Sequence, residues 1–250
     1  MERIKLGVDW IDEMLPDGFP VATSTLVSGP GGSGKPLVGF IFSSGWLRNN
    51  GKVIFLLTST NLEYLQNTMK LLGTNLDDYI KKLFFIEFNP TIDDIKKETT
   101  NHIQANLVKP EIWNKSLQLA DNYLNSVSSE IGTMVVGSAL NLLFFSKTYG
   151  KVIHKKIKEI LEKEKSRTFF FTVNSDAFKD MVLELERVSD NLMFSRMEQP
   201  MTLFLKTSRM KAVSFNKEEI KIPLSKDVLE SIKKEAEKGK KNLIPTLKGI

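Results

Sequence analysis

Through about residue 190, short apolar runs alternate with longer segments whose apolar residues recur at helical spacing. The runs Thr25–Ser28, Val53–Leu57, Leu83–Phe88, Met134–Val136 and Thr168–Val173 are rich in β-branched and aromatic residues and show little polar alternation. Such runs predict strands of a mostly parallel sheet covered by helices on both faces. Leu62, Leu65, Met69 and Leu72 form the apolar stripe of one intervening helix. Thr60 followed by Glu63 predicts a capping box at its start, and Gly73 a left-handed cap at its end. Residues 114–130 and 147–165 predict two more helices. Beyond them the texture changes to closely spaced strands, Asn191–Ser195, Met201–Thr207, Lys211–Phe215 and Glu219–Ile222, which predict antiparallel hairpins extending the sheet. A last helix starts at Ser225, carries Val228, Leu229, Ile232 and Ala236 on one face, and runs out at Gly239 into an apolar tail. The expected organisation is an α/β domain over residues 1–224 followed by a C-terminal helix and tail over 225–250.

Composition narrows the chemistry. There is no cysteine, which excludes disulfides, thiolate metal sites and cysteine nucleophiles. The two histidines, His102 and His154, are far apart in sequence, so no histidine-rich metal site is expected. No apolar run reaches signal-peptide or membrane-helix length, so a cytoplasmic protein without membrane contact is expected. The net charge of +5 sits largely in 151–165 and 233–241, where lysine alternates with glutamate as on solvated helix faces.

The most informative segment is TLVSGPGGSGKPLVGFIF, residues 25–42. A predicted strand ends at Ser28, and Gly29, Pro30, Gly31, Gly32, Ser33, Gly34 and Lys35 lead into a helix, the Walker A order in its strand–loop–helix context. Glycines let backbone N–H groups point at a phosphate, the helix N-terminus adds its dipole, and Lys35 reaches for the outer phosphates. The candidate cofactor-binding residues are Gly29, Gly31, Gly32, Ser33, Gly34 and Lys35. The next position requires a Ser or Thr hydroxyl on Mg²⁺, and this chain has Pro36. Proline is tolerated in a first helical turn but offers neither hydroxyl nor N–H.

The segment GVDWIDEMLPDGFP, residues 7–20, followed by this loop, resembles the opening of KaiC/RadA-type ATPases of the RecA superfamily. Gly7, Ile11, Asp12, Glu13, Leu15, Gly18, Phe19 and Pro20 fall into that register, and the resemblance continues to about residue 222. It implies a RecA-like P-loop fold: a mostly parallel central sheet flanked by helices, with a C-terminal antiparallel hairpin extension. Carried over residue by residue, it also implies losses. The magnesium-shell aspartate of the Walker B strand corresponds to Gly137 in Met134–Ser138, and the water-polarising glutamate falls at Leu57-Thr58-Ser59. Asn174 takes a sensor-like place with Asp176 just after it, and Lys206 and Arg209 take the place of basic residues that reach a neighbouring subunit.

From this pattern the expected function is that of a pseudo-ATPase: a catalytically inactive scaffold acting as a protein-binding, regulatory or oligomerising module. It would form a homo-oligomer or take a protein or peptide partner, aided by Phe19, Phe178, Phe215 and the apolar tail. No catalytic or metal-ligating residue and no certain cofactor is expected; ATP, ADP or phosphate could bind without Mg²⁺. The alternative is a true ATPase with a non-standard metal site using Asp176 or Glu63, with a role in DNA recombination or signalling. A third reading is nucleic-acid binding by loops at 141–152, with Lys147, Lys151, Phe144, Phe145 and Tyr149, and at 175–187. The acidic residues Asp176, Asp180, Glu184 and Glu186 in the second loop weigh against it.

Overall fold

The computed structural model describes residues 2–247, with side chains through residue 238. In chain order the elements are β1 (Arg3–Ile4), α1 (Asp9–Met14), β2 (Phe19–Pro20), β3 (Ser24–Gly29), α2 (Lys35–Arg48), β4 (Lys52–Leu57) and α3 (Leu62–Leu71). There follow β5 (Leu83–Phe88), β6 (Ile95–Lys97), β7 (His102–Ala105), α4 (Pro110–Leu124), β8 (Thr133–Ser138), α5 (Gly150–Lys163) and β9 (Thr168–Asn174). The chain then forms α6 (Lys179–Val188), β10 (Asn191–Glu198), β11 (Thr202–Arg209), β12 (Glu219–Lys221) and α7 (Lys226–Leu247). Turns of 3-10 helix lie at Leu76–Lys82 and Leu140–Phe145.

One sheet runs in the order β12-β11-β10-β3-β9-β8-β4-β5-β7-β6. Its central pairings are parallel, while β10–β11, β11–β12 and β6–β7 are antiparallel. A mostly parallel sheet with an antiparallel extension is therefore what the run pattern encodes. Period-2 alternation divides the strand side chains between two cores. Val27, Phe55, Leu57, Val136 and Phe170 face α1, α2, α3 and α7, whereas Leu26, Ile54, Val135, Phe169 and Phe171 face α4, α5 and α6.

Helix α2 is the pivot of the first core, with every residue from Leu37 to Leu47 buried. A Cβ at Gly39 would lie 3.2 Å from Val136 and one at Gly45 would lie 2.7 Å from Leu6, so these glycines let the helix approach the sheet and the N-terminal segment closely. Phe19 fills the wedge between them, edge-on to Phe42 and Trp46. Phe19 is core, and so is not free to dock a partner.

Several local expectations are corrected. The cap of α3 is Asn61, whose side chain accepts from the N–H of Tyr64 at 2.9 Å. The Thr60 hydroxyl is buried without a partner. The far end of α3 does close as expected: Gly73 has φ +83°, and N–H groups of Gly73 and Thr74 return to the carbonyls of Lys70 and Met69. Residues 211–215 form no strand, because Lys211 N–H is taken by the Asn191 side chain and Ser214 N–H by Asp17. The segment 175–187 is mostly helix α6 and not a loop. Helix α4 starts earlier than expected, at Pro110, and the short strands β6 and β7 carry too few apolar residues to have been visible. Helix α7 continues through Gly239 to Leu247, and the end of the tail, residues 248–250, lies outside the described residues. Among the described residues no helix is long and apolar enough to cross a membrane.

Candidate phosphate-loop site

Parallel strands present their C-terminal ends on one edge of the sheet, and β3, β9, β8 and β4 bring the sequence-predicted residues together there. The chain leaves β3 at Gly29, turns through Gly32 at φ +75° and enters α2 from Gly34 at φ +69°. These left-handed conformations require glycine, and they wrap the loop around the start of the helix. Pro36 stands in the first turn of α2, where its missing N–H leaves no intrahelical bond unmade.

Lys35 folds back into the loop. Its ammonium donates to the carbonyls of Gly29 at 2.8 Å and Pro30 at 2.5 Å and to Ser33 Oγ at 3.0 Å. All three ammonium protons are thereby engaged, and the residue is 5% exposed. Burial pushes its pKa down to about 8, with the nearby Asp176 carboxylate opposing the shift. Ser33 in turn meets Ser195 Oγ of β10 at 3.0 Å.

The turn after β9 closes over the loop. Ser175 N–H donates to the Gly29 carbonyl at 2.9 Å, and Asp176 Oδ2 accepts from Gly31 N–H at 2.9 Å. Asn174 holds this turn in shape by accepting from Asp176 N–H, while the buried Asn141 side chain bonds both the N–H and the carbonyl of Asn174 at 3.0 Å. Asn141 is a positioning residue that sequence reasoning passed over. Its only signal was an Asn within an otherwise apolar stretch after β8.

The edge formed by β4 and β8 is different in kind. A Cβ at Gly137 would lie 3.0 Å from both Leu140 and Phe171. Thr58 donates its hydroxyl to the Ser138 carbonyl, and Ser59 and Ser138 hydroxyls lie 3.5 Å apart. Hydroxyls and apolar side chains thus stand at both positions where the resemblance called for carboxylates. Glu63 lies in the first turn of α3, where its carboxylate favours the helix dipole. Among the described residues no three acidic or histidine side chains cluster in a way that could hold a metal ion.

Residues 4–118 match the family model described as ATPase: KaiC. The matched stretch, a little under half of the chain, includes the N-terminal segment, the phosphate loop and α2. Together with the strand order and the phosphate loop between β3 and α2, it places the chain's fold as RecA-like. No curated protein matches the chain.

The remaining candidates are dispersed. Arg209 turns inward and donates to the carbonyls of Glu186 and Ser189 at the end of α6, so it caps a helix of its own domain and does not reach outward. Lys206 is exposed on β11 beside Glu219. Phe145 is 52% exposed and packs edge-on against the half-buried Phe178 at 4.7 Å, while Phe144 is buried against His154. The 141–152 segment therefore presents one exposed ring, Phe145, itself packed on Phe178, beside the half-buried Tyr149, and not a row of rings for base stacking.

Proposed function

We propose that this chain is a RecA-like phosphate-loop module that binds an anion or nucleotide weakly, without using Mg²⁺ and without hydrolysing ATP, and acts through protein contacts. The observation that carries this reading is Gly137. A Cβ there would already meet the Leu140 and Phe171 side chains at 3.0 Å, so an aspartate would need both to give way, which supports the reading that no magnesium-shell carboxylate belongs at this position. Pro36 offers the metal no hydroxyl, and Thr58 and Ser59 offer a water no general base. Each absent group corresponds to a loss of about 3 kcal/mol in transition-state stabilisation, so three together leave no useful rate. The loop backbone and Lys35 remain, which supports retained affinity for a phosphate group.

Calorimetry with ADP and ATP, with and without Mg²⁺, tests the reading alongside a sensitive phosphate-release assay. The expected result is no turnover and weak binding indifferent to magnesium. Magnesium-dependent turnover abolished by Lys35→Ala would overturn it in favour of an ATPase with a non-standard metal site. Sedimentation of the full chain tests the protein-contact half of the proposal, with a defined homo-oligomer or a complex with a protein partner expected.

A further inference from the structure

We propose that Asp176 is a built-in anion that occupies the phosphate loop and sets its affinity, so that an external phosphate binds only by displacing this carboxylate. The inference rests on the reading of the loop as an anion site. The N–H of Gly31 is one of the loop's backbone donors that an oxyanion could take, and it already donates to Asp176 Oδ2 at 2.9 Å. Beside the glycine there is room as well: a Cβ on Gly31 would find its nearest neighbours at 3.7 and 3.8 Å, and these are Asn174 Nδ2 and Asp176 Oδ2.

The aim of the carboxylate is fixed by its surroundings. Ser175 N–H holds the turn to the Gly29 carbonyl, Asn174 Oδ1 accepts from Asp176 N–H, and Asn141 pins Asn174 from below. The same carboxylate stabilises the charge on Lys35, whose ammonium is folded onto loop carbonyls and directs no free proton outward. A carboxylate bound by a backbone N–H and facing a lysine charge reproduces the two interactions that a phosphate makes in such a loop. An incoming oxyanion must break the Gly31–Asp176 bond and then face the released carboxylate, so like-charge repulsion adds to competition for the donor.

The ligand class this leaves is a phosphate-bearing group of high charge density, for which inorganic pyrophosphate serves as the probe. Asp176 is exposed, so its replacement is tolerated structurally. Calorimetric titration of the full chain with pyrophosphate is expected to show affinity at least tenfold higher in Asp176→Ala than in wild type. Asp176→Asn, which keeps an acceptor oxygen but no charge, is expected to fall between them. The gain is expected to vanish in Asp176→Ala/Lys35→Ala. In the wild-type protein, the Gly31 amide resonance is expected to move on pyrophosphate addition only at concentrations well above those that saturate the alanine variant. Equal or weaker pyrophosphate binding by both Asp176 variants, or a Gly31 amide that shifts in wild type and variant at the same concentration, overturns the proposal. Magnesium-dependent ATP turnover in Asp176→Ala with tighter pyrophosphate binding would leave the Asp176 inference standing and overturn the non-hydrolysing reading.

Discussion

The two halves of the sheet edge have had different fates. On the β3 side, the loop has its glycines, its left-handed turns and its lysine; on the β4–β8 side, Thr58, Ser59 and Ser138 present hydroxyls and Gly137 is wedged among apolar side chains. Part of the loop's retention is structural. A Cβ at Gly34 would lie 2.9 Å from Leu203 of β11, and one at Gly29 would collide with the Ser195 carbonyl of β10. Gly29 is required by the hairpin packed over the loop, whatever the loop binds, while Gly34 meets only the flexible end of Leu203 and is favoured by its left-handed backbone at φ +69°. Gly31 is not required in this way, and neither is a lysine at position 35 buried among carbonyls. The contrast teaches that a phosphate-loop pattern mixes residues held by packing with residues held by charge, and only the second kind argues for a ligand.

The sharpest way to break this contrast is to put an acid back on the closed side. Gly137→Asp would introduce both overpacking against Leu140 and Phe171 and a buried carboxylate without a partner. It is expected to lower unfolding free energy by about 4 kcal/mol, measured by chemical denaturation, and to restore no ATP turnover. A loss below about 1 kcal/mol together with magnesium-dependent turnover would mean that this edge is still a metal site.

On the open side, the buried Lys35 makes stability depend on pH. Its pKa is held down to about 8 in the folded protein against 10.5 in a free chain, so between these values the unfolded state binds more protons. Stability therefore rises with pH across that window, by on the order of 3 kcal/mol in full. The destabilisation from its burial is complete below about pH 8 and is relieved toward pH 10.5. Thermal unfolding of wild type and Lys35→Met should show this slope in the first and its loss in the second. An identical pH profile in both would mean that the lysine is not buried as described.

Much of this contrast was legible in the chain before folding, because it depends on residue types at a fixed spacing. Gly29 to Lys35 announces its own turns, and Pro36 and Gly137 stand out as departures from the resemblance. Strands such as Leu83–Phe88 were legible because burial on both faces leaves continuous apolar runs. What escaped is carried by contacts distant in sequence. Asn141 orders the Asn174 turn from 33 residues away, and Asp176 reaches Gly31 across 145. Arg209 reads as an outward-reaching base by local pattern, yet the end of α6 captures it.

The start of α3, which leads out of β4 on the closed side, gives a smaller test of the same kind. Three hydroxyl or amide residues, Ser59, Thr60 and Asn61, stand in succession, and local spacing favoured Thr60 as the cap. Because Asn61 makes the bond to Tyr64 N–H, Asn61→Ala should lower stability by about 1 kcal/mol in denaturant titrations. Thr60→Val, which replaces a buried hydroxyl without a partner, should be neutral or slightly stabilising. The reverse order would return the cap to Thr60.

The smallest expected change separates packing from charge most cleanly. Gly31 does not share the positive φ of Gly32 and Gly34, and a methyl group there would meet only ordinary van der Waals contacts with Asn174 and Asp176. Gly31→Ala should therefore change stability by less than about 0.5 kcal/mol, a magnitude typical of surface sites. Its N–H survives the substitution, so the bond to Asp176 can persist, but the methyl narrows the side from which an oxyanion would approach. If stability in denaturant is unchanged while pyrophosphate affinity falls, Gly31 belongs to the charge-bearing part of the loop. If stability falls by more than 1 kcal/mol, packing holds this glycine as it holds Gly29, and the loop's glycines cease to argue for a ligand.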